Sequence, residues 1–143
     1  MKKLILLTLL LLHLLTFSQN NYWQQEADYD MVIDVNVENH TYNGTQKLVF
    51  TNNSPETLDR VFYHLYFNAF KPGTDLEQNS RYSTDDSRTM SKNILMLDEN
   101  DWGDVQIKWM LQDGKPLDFK VEETILDVAL ERPVKSGEST TLE

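Results

Sequence analysis

Apolar and polar residues alternate along the chain from Tyr29, which predicts a β-hairpin near the start of the folded region. The apolar positions are Tyr29, Met31, Ile33, Val35 and Val37. A period of two is typical of a half-buried strand rather than of a helix. The segment ENHTYNG, closing on Gly44, predicts the turn. A second strand then runs through Leu48 and Phe50, partly covered on both faces, to a polar cluster, so we predict a hairpin over residues 28–53.

The middle of the chain divides into an apolar and a polar part. Residues 58–70 are rich in aromatic side chains, which favours a third strand, and Pro72 and Gly73 end it. Residues 74–92 are polar and charged, so we expect a mobile polar loop there. The apolar residues within 91–101 favour a short helix.

Strand patterns return after Asp104. Alternating apolar positions predict strands over 105–111, 117–121 and 126–130, and a last strand begins at Ser139. Asp113-Gly114 predicts a hairpin turn, and Pro133 with residues 136–138 marks another. The pattern therefore predicts an all-β domain over residues 28–143. We expect a twisted antiparallel β-saddle or sandwich of hairpins that is incomplete at its C-terminus.

The N-terminal segment has the pattern of a secretory signal. Lys2 and Lys3 precede an apolar run at 4–15, and within 16–18 the small residues Thr16 and Ser18 take the two positions that a signal peptidase reads. The run is shorter than the roughly 20 residues that span a bilayer. We therefore predict a signal peptide at 1–18, no stable membrane insertion, and export to the periplasm or the extracellular space. An uncleaved membrane anchor is the alternative. Residues 19–27 form an N-terminal arm, whose aromatic residues Tyr22 and Trp23 we expect to dock on the body.

Composition narrows the set of partners. The formal net charge is −10, and it becomes −12 when the signal removes Lys2 and Lys3. An acidic surface argues against nucleic acid as a partner. The chain has no cysteine, so disulfides take no part in its stability.

The sequence does not contain a complete motif for catalysis or for metal binding. Zinc peptidases of the H-E-x-x-H type need two histidines one helical turn apart, whereas the histidines here are His13, His40 and His64. Asp98, Asn100 and Gly103 match part of a calcium loop, but two ligand positions hold Trp102 and Trp109. No G-x-S-x-G and no phosphate loop occur. We therefore assign no catalytic, cofactor-binding or metal-binding residue in this chain.

Two weaker patterns concern surface recognition. The aromatic residues of 58–70 would be either core and rim or the lining of a sugar or peptide groove; they are Phe62, Tyr63, Tyr66, Phe67 and Phe70. Glycosylation sequons begin at Asn39, Asn43 and Asn52.

The hairpin and the strands after it resemble the N-terminal domain of the gluzincin zinc aminopeptidases, the family of aminopeptidase N and leukotriene-A hydrolase. The shared features are a Tyr-led alternating strand from Tyr29, an aromatic-x-Gly at Tyr42 and Gly44, and a strand that ends at Asn52. The segment LDRVFYHLYFNAF resembles the next strand of secreted bacterial members. The stretch GKPLDFKVEETILDVALERPVKSGESTTLE resembles a later hairpin with a P-x-x-x-G-E turn. The resemblance covers most of residues 22–143.

This resemblance implies a non-catalytic domain that packs against a catalytic domain absent from this chain. In the family, the zinc-binding H-E-x-x-H and the G-x-M-E-N segment belong to the next domain, and neither is present here. Zinc and the peptide substrate would belong to the parent enzyme, and this chain alone would be inactive. The alternative is a stand-alone exported β-sandwich that binds a glycan or a protein. A small hydrolase in its own right has almost no residue support.

Overall fold

The structure is a computed structural model that describes residues 22–82 and 92–143. Every strand pairing in these two ranges is antiparallel, and strands are the predominant element. The predicted all-β, sandwich-like class is therefore confirmed. The predicted signal peptide lies outside the described residues, as do residues 83–91 of the predicted polar loop.

The described part of the chain contains eight strands, and a long segment separates the third from the fourth. They are β1 (Glu26–Asn36), β2 (Thr41–Thr51), β3 (Leu58–His64), β4 (Leu111–Gln112), β5 (Lys115–Pro116), β6 (Phe119–Glu122), β7 (Ile125–Val134) and β8 (Ser139–Leu142). Between β3 and β4 lie the α-helix α1 (Asp75–Arg81) and 3-10 turns at Tyr66–Ala69 and Glu99–Asp101. Residues 92–95 are also helical, which agrees with the short helix predicted in 91–101.

The strands form two sheets around one core. The first sheet has the order β1-β2-β8-β4-β5, and the second has the order β3-β7-β6. Leu48 and Leu142 of the first sheet pack in one buried cluster with Leu126, Val128 and Val134 of the second. Burial of these side chains is the main force that holds the sheets together. The predicted last strand is β8, which lies inside the first sheet between β2 and β4.

The turn of the first hairpin lies earlier than predicted. Residues 37–40 form the turn, with His40 at a φ of 52°, and Gly44 lies within β2 opposite Ile33. A Cβ atom on Gly44 would stand 3.2 Å from the carbonyl oxygen of Val32, so the glycine permits a close approach of the two strands. The prediction that the turn closes on Gly44 is therefore wrong, because β2 already begins at Thr41.

The predicted third strand is shorter than its apolar pattern. β3 ends at His64, and the backbone N–H of Leu65 donates to the carbonyl of Thr124 at 2.7 Å. The chain then turns through Tyr66–Ala69, because the side chain of Asn68 bonds two other segments. Its Nδ2 donates to the Glu123 carbonyl at 3.0 Å, and its Oδ1 accepts from the Val105 N–H at 2.6 Å.

The prediction of a loop from residue 74 is wrong for its first part, which is helix α1. Thr74 is the N-cap, and its hydroxyl oxygen accepts from the N–H of Glu77. Glu77 in turn accepts from the N–H of Gly73 at 3.2 Å and forms an ion pair with Arg81 one turn later. Thr-x-x-Glu is the sequence signature of a helix start, and it was overlooked because the segment has so few apolar residues.

Of the strand predicted over 105–111, only Leu111 lies in a strand, the two-residue β4. Val105 and Ile107 pack against the core, while ladder pairing begins only at Leu111. The N–H of Val105 bonds to Asn68 instead of a strand, so no ladder forms there. The Asp113-Gly114 turn is confirmed, with φ values of 49° and 79°. The turn predicted at Pro133 begins later, because β7 continues through that residue.

The N-terminal arm is attached through amides rather than aromatic side chains. Tyr22 is 86% exposed and Trp23 is 47% exposed, so the docking predicted for them is wrong. Gln25 instead donates to Asn52 Oδ1 at 3.1 Å and accepts from the N–H of Asn53 at 2.8 Å. The polar arm is thus held by hydrogen bonds to the polar residues that follow β2.

Candidate interdomain docking face

One face of the first hairpin carries a row of apolar side chains. Directly paired residues project to the same side of a sheet. The register places Tyr29 opposite Leu48, Met31 opposite Gln46, Ile33 opposite Gly44 and Val35 opposite Tyr42. We call the surface formed by Tyr29, Met31, Ile33, Val35 and Tyr42 the apolar face.

The core covers only the inner end of this side of the hairpin. Leu48 is 4% exposed and pairs with Leu142 on β8. Farther out, Ile33 is 57% exposed and Val35 is 63% exposed. The prediction of half-buried strands is therefore wrong for β1, of which every residue is exposed. The physical reason is that the hairpin extends beyond β8, and no described segment covers its outer half.

An aromatic contact between Tyr42 and Phe67 supports the outer end of the hairpin. The ring of Tyr42 lies 6.3 Å from the ring of Phe67, centroid to centroid, at an angle of 52°. Phe67 belongs to the 3-10 turn at Tyr66–Ala69, where Gly103 packs closely and donates its N–H to the Phe70 carbonyl at 3.1 Å. Phe67 remains 58% exposed, so it extends the apolar face without covering it.

The opposite face of the hairpin is acidic. The even-numbered residues of β1 include Glu26, Asp28, Asp30 and Asp34, which project away from the apolar face. Lys47 lies opposite Asp30 and offsets one of these charges. We call the surface formed by these four acids the acidic face. The hairpin therefore presents two chemically different sides to solvent.

A buried asparagine fixes the base of the hairpin. Asn52 is 0% exposed, and its Nδ2 donates to the carbonyls of Glu56 at 2.7 Å and Val134 at 2.9 Å. Its Oδ1 accepts from Gln25 and from both the N–H and the hydroxyl of Ser54. A fully bonded buried amide holds its neighbours in one arrangement. The hairpin consequently projects from the core in a defined direction.

Tyr63 lies at the margin of the core beside Tyr29. Its hydroxyl oxygen is buried and has no hydrogen-bond partner among residues 22–82 and 92–143. Burial raises the pKa of Tyr63 to about 12, and the neighbouring Tyr29 adds to the rise. The phenol therefore stays neutral at physiological pH, which makes it unsuitable as a general base.

A shallow cleft of about 560 Å³ lies beside helix α1. Across it, Lys71 forms an ion pair with Asp104 at 2.8 Å. This ion pair, with a hydrogen bond from Gln106, lowers the pKa of Asp104. Asn68, which also lines the cleft, bonds Glu123 and Val105. The polar groups that line the cleft are therefore used in bonds between neighbouring segments of the chain, so the cleft is a structural junction.

The histidines and the calcium-like loop lie in separate parts of the fold. His40 is in the β1–β2 turn of the first sheet, whereas His64 ends β3 in the second. Residues 99–101 of the calcium-like loop form a 3-10 turn. In the described ranges, no three His, Asp or Glu side chains group as metal ligands.

The five aromatic residues predicted as core or groove separate into two groups. Tyr63 packs against the core, whereas Phe62, Tyr66, Phe67 and Phe70 are between 40% and 71% exposed. His64 stacks on Tyr66 with 5.2 Å between ring centroids and 9° between planes. Of the sequon asparagines, Asn39 and Asn43 are exposed and Asn52 is buried. The buried position of Asn52 prevents glycosylation of that residue in the folded chain.

The chain matches no protein-family model, no curated protein and no solved structure. Over residues 22–82 and 92–143, no helix is both long enough and apolar enough to cross a membrane. Among the described residues, the apolar face gives the strongest indication of a function, because its large apolar side chains are exposed to solvent. The alternation of Tyr29, Met31, Ile33 and Val35 predicts a half-buried strand, and the charged residues between them fit that prediction equally well, so the exposure of this face is not evident from the pattern.

Proposed function

We propose that this chain is the non-catalytic N-terminal β-domain of an exported zinc aminopeptidase. Its apolar face would pack against the catalytic domain of the parent protein. The observation that carries the proposal is the row of exposed apolar residues that continues outward from the core at Leu48. A contiguous exposed apolar surface on a folded domain marks a site of association.

The residues that carry the family resemblance also build the hairpin. Tyr29 and Tyr42 belong to the apolar face, and Gly44 allows the close approach of β1 and β2. Asn52 fixes the base of the hairpin through its buried amide. Each of these four positions thus has a role in forming or holding the surface that would dock. The residues that resemble the family are thus the residues that build this surface. This match is a second support for the proposal, in addition to the exposed apolar surface.

The first test is the reading frame downstream of the codon for Glu143. An aminopeptidase predicts an H-E-x-x-H sequence within a few hundred codons. A frame that encodes no such motif would overturn the proposal. As a second readout, the purified chain of residues 1–143 should hold no zinc in metal analysis and should release no amino acid from a chromogenic aminoacyl amide.

The interface itself is testable in the full-length protein with two matched variants. Ile33→Asp places a charge on the apolar face, whereas Val32→Asp places the same charge on the opposite side of the same strand. Both positions are exposed in this chain, at 57% and 71%. Only Ile33→Asp should increase proteolysis between the domains, since a buried unpaired charge weakens an interface. Equal effects of the two variants would contradict docking through the apolar face.

The alternative proposal is a stand-alone exported module that binds a glycan or a protein. It is favoured by the stacked pair of His64 and Tyr66 beside Phe62, which is 62% exposed. Exposed aromatic rings can stack on a sugar or anchor a partner protein. Tyr66→Ala would then abolish binding on a glycan or protein array, whereas the docking proposal predicts that wild type and variant give the same negative result.

A further inference from the structure

Over residues 22–82 and 92–143, no strand pairs with the outer edge of β1, which is eleven residues long. β1 is the edge strand of the first sheet, with β2 as its neighbour in the described part of the chain. The carbonyl oxygen of Val32 would lie 3.2 Å from a Cβ atom placed on Gly44 of β2. This carbonyl group therefore points toward β2. Main-chain groups alternate in direction along a strand. The N–H and C=O groups of Met31 and Ile33 therefore point outward.

The outward main-chain groups belong to the residues of the apolar face. Tyr29, Met31, Ile33 and Val35 share the odd-numbered positions of β1, while the acids occupy the even-numbered positions. A strand added at this edge would extend both faces of the hairpin at once. Its side chains would alternate between an apolar side and a side that meets Asp28, Asp30 and Asp34.

A second copy of this chain is a poor occupant of the edge. Pairing of β1 with β1 of another copy puts acidic residues on the same side of the joined sheet when the apolar sides match. Like charges placed opposite each other on a sheet are destabilising. Charged residues on an edge strand are also a known means of preventing self-association.

We propose that β1 is completed by an extended segment of the docking domain in which apolar residues alternate with lysine or arginine. The apolar residues of that segment enlarge the apolar face. Its basic residues project to the same side of the sheet as the acidic face and lie next to the acids there. The identity of the partner rests on the proposed function, whereas the pairing of strands follows from the open edge and the two faces. Main-chain hydrogen bonds supply affinity in this mode, and the alternating side chains supply specificity.

Nine-residue peptides with blocked ends test the pairing directly with the full chain. The first alternates lysine and valine, the second alternates glutamate and valine, and the third is the lysine peptide N-methylated at its five central residues. We expect the lysine peptide to bind at least about tenfold more tightly than the glutamate peptide at low salt, because three opposite-charge pairs replace three like-charge pairs. N-methylation should abolish binding, since it removes the main-chain donors.

Two variants separate the main-chain contribution from that of the side chains. Ile33→Pro and Ile33→Ala both shorten the side chain, but only the proline removes the outward N–H. The proline variant should bind the lysine peptide at least about tenfold more weakly than the alanine variant. Asp30→Lys combined with Asp34→Lys should reverse the preference in favour of the glutamate peptide. Circular dichroism provides the check that each variant retains its strand content.

The possible outcomes distinguish this inference from the proposed function. Equal binding of the two peptides, or a preference unchanged by the double lysine variant, would overturn strand pairing at β1. A dimer in light scattering that Ile33→Pro dissociates would also overturn it in favour of a second copy. If the preference holds but no H-E-x-x-H lies downstream, the pairing stands and the aminopeptidase proposal fails.

Discussion

Gln112 and Arg132 exchange two hydrogen bonds across the two sheets. Gln112 Nε2 donates to the Arg132 carbonyl at 2.8 Å, and the Arg132 N–H donates to Gln112 Oε1 at 3.0 Å. Arg132 lies on β7 beyond the ladder with β6, which ends at the pair of Phe119 and Val128. The side chain of Gln112 thus takes the place of a strand and satisfies main-chain groups that would otherwise lack a partner.

Replacement of Gln112 should therefore be costly although no catalytic role is involved. Gln112 is 2% exposed and also donates to Thr140 Oγ1 at 3.1 Å. We expect Gln112→Leu to lower the free energy of unfolding by about 2–4 kcal/mol, because it leaves buried polar groups unpaired. Gln24→Leu, at an exposed position in the N-terminal arm, is the control and should change it by less than about 0.5 kcal/mol. Similar midpoints in urea for the two variants would contradict this role.

Gly103 is the second position where a small change should have a large effect. A Cβ atom at Gly103 would lie 2.1 Å from the carbonyl oxygen of Phe67, a contact that requires the backbone to move. Gly103→Ala should destabilise the chain by about 3 kcal/mol. Gly137→Ala is the comparison, because Gly137 has open space and a φ of 78°, and we expect a cost of about 1 kcal/mol there.

Thermal unfolding of the two glycine variants measures this difference. Since Gly103 packs against the turn that carries Phe67, the alanine variant should also weaken the contact of Phe67 with Tyr42. Near-ultraviolet circular dichroism of the tyrosines reports on that contact. A Gly103→Ala protein no less stable than Gly137→Ala would show that the turn can shift freely.

Local patterns predicted those parts of the fold that depend on neighbouring residues. Asp113-Gly114 forms the predicted hairpin turn because both residues adopt the positive φ values that such a turn needs. The alternation of Leu126, Val128 and Leu130 matches the buried side of β7, since period two assigns residues to a face. These features need no information about distant segments.

Other features depended on contacts that no local pattern encodes. Alternation placed Met31 and Ile33 on one face of β1, but it could not show whether another segment covers that face. The bonds of Asn68 to Val105 and Glu123 join segments far apart in sequence, and they replace the strand predicted over 105–111. The buried amides of Asn52 and Gln112 gave no sequence signal that distinguishes them from surface residues.

The carboxylate of Asp113 should make stability depend on pH in the acidic range. The backbone N–H of Thr141, followed by Arg132 and Thr140, lowers the pKa of Asp113 below its ordinary value of 3.8. A carboxyl whose folded pKa is lowered contributes stability above its unfolded pKa and loses it as pH falls through the folded pKa. The side chain of Asp113 is 42% exposed, so solvent screening keeps the effect small.

Asp113→Asn isolates this contribution, since asparagine also tolerates the positive φ of this turn position. We expect a loss of about 0.5–1 kcal/mol near neutral pH, and the difference from wild type should shrink toward zero below the folded pKa. Asp118→Asn, at an exposed position, is the matched control. Urea titrations at several acidic pH values measure the difference, and one that stays constant down to the lowest pH would rule out a contribution from the charge.

The two ends of one hairpin face should respond differently to the same kind of substitution. Leu48 and Ile33 project to the same side of the sheet, but Leu48 is 4% exposed and Ile33 is 57% exposed. In the chain of residues 1–143, Leu48→Ala should cost about 2–5 kcal/mol of unfolding free energy through lost burial and a cavity. Ile33→Ala should cost less than about 1 kcal/mol, because little apolar surface returns to water.

The difference between these two costs should shrink in a protein that contains the docked partner. There Ile33→Ala should approach the cost of a buried substitution, because the partner would cover the side chain. Leu48→Ala should cost the same in both proteins, since its neighbours, among them Leu142, belong to this chain. Chemical denaturation of both proteins with both variants measures the four values. A cost at Ile33 that is equally small in the two proteins would show that the apolar face stays in water and is not the docking surface.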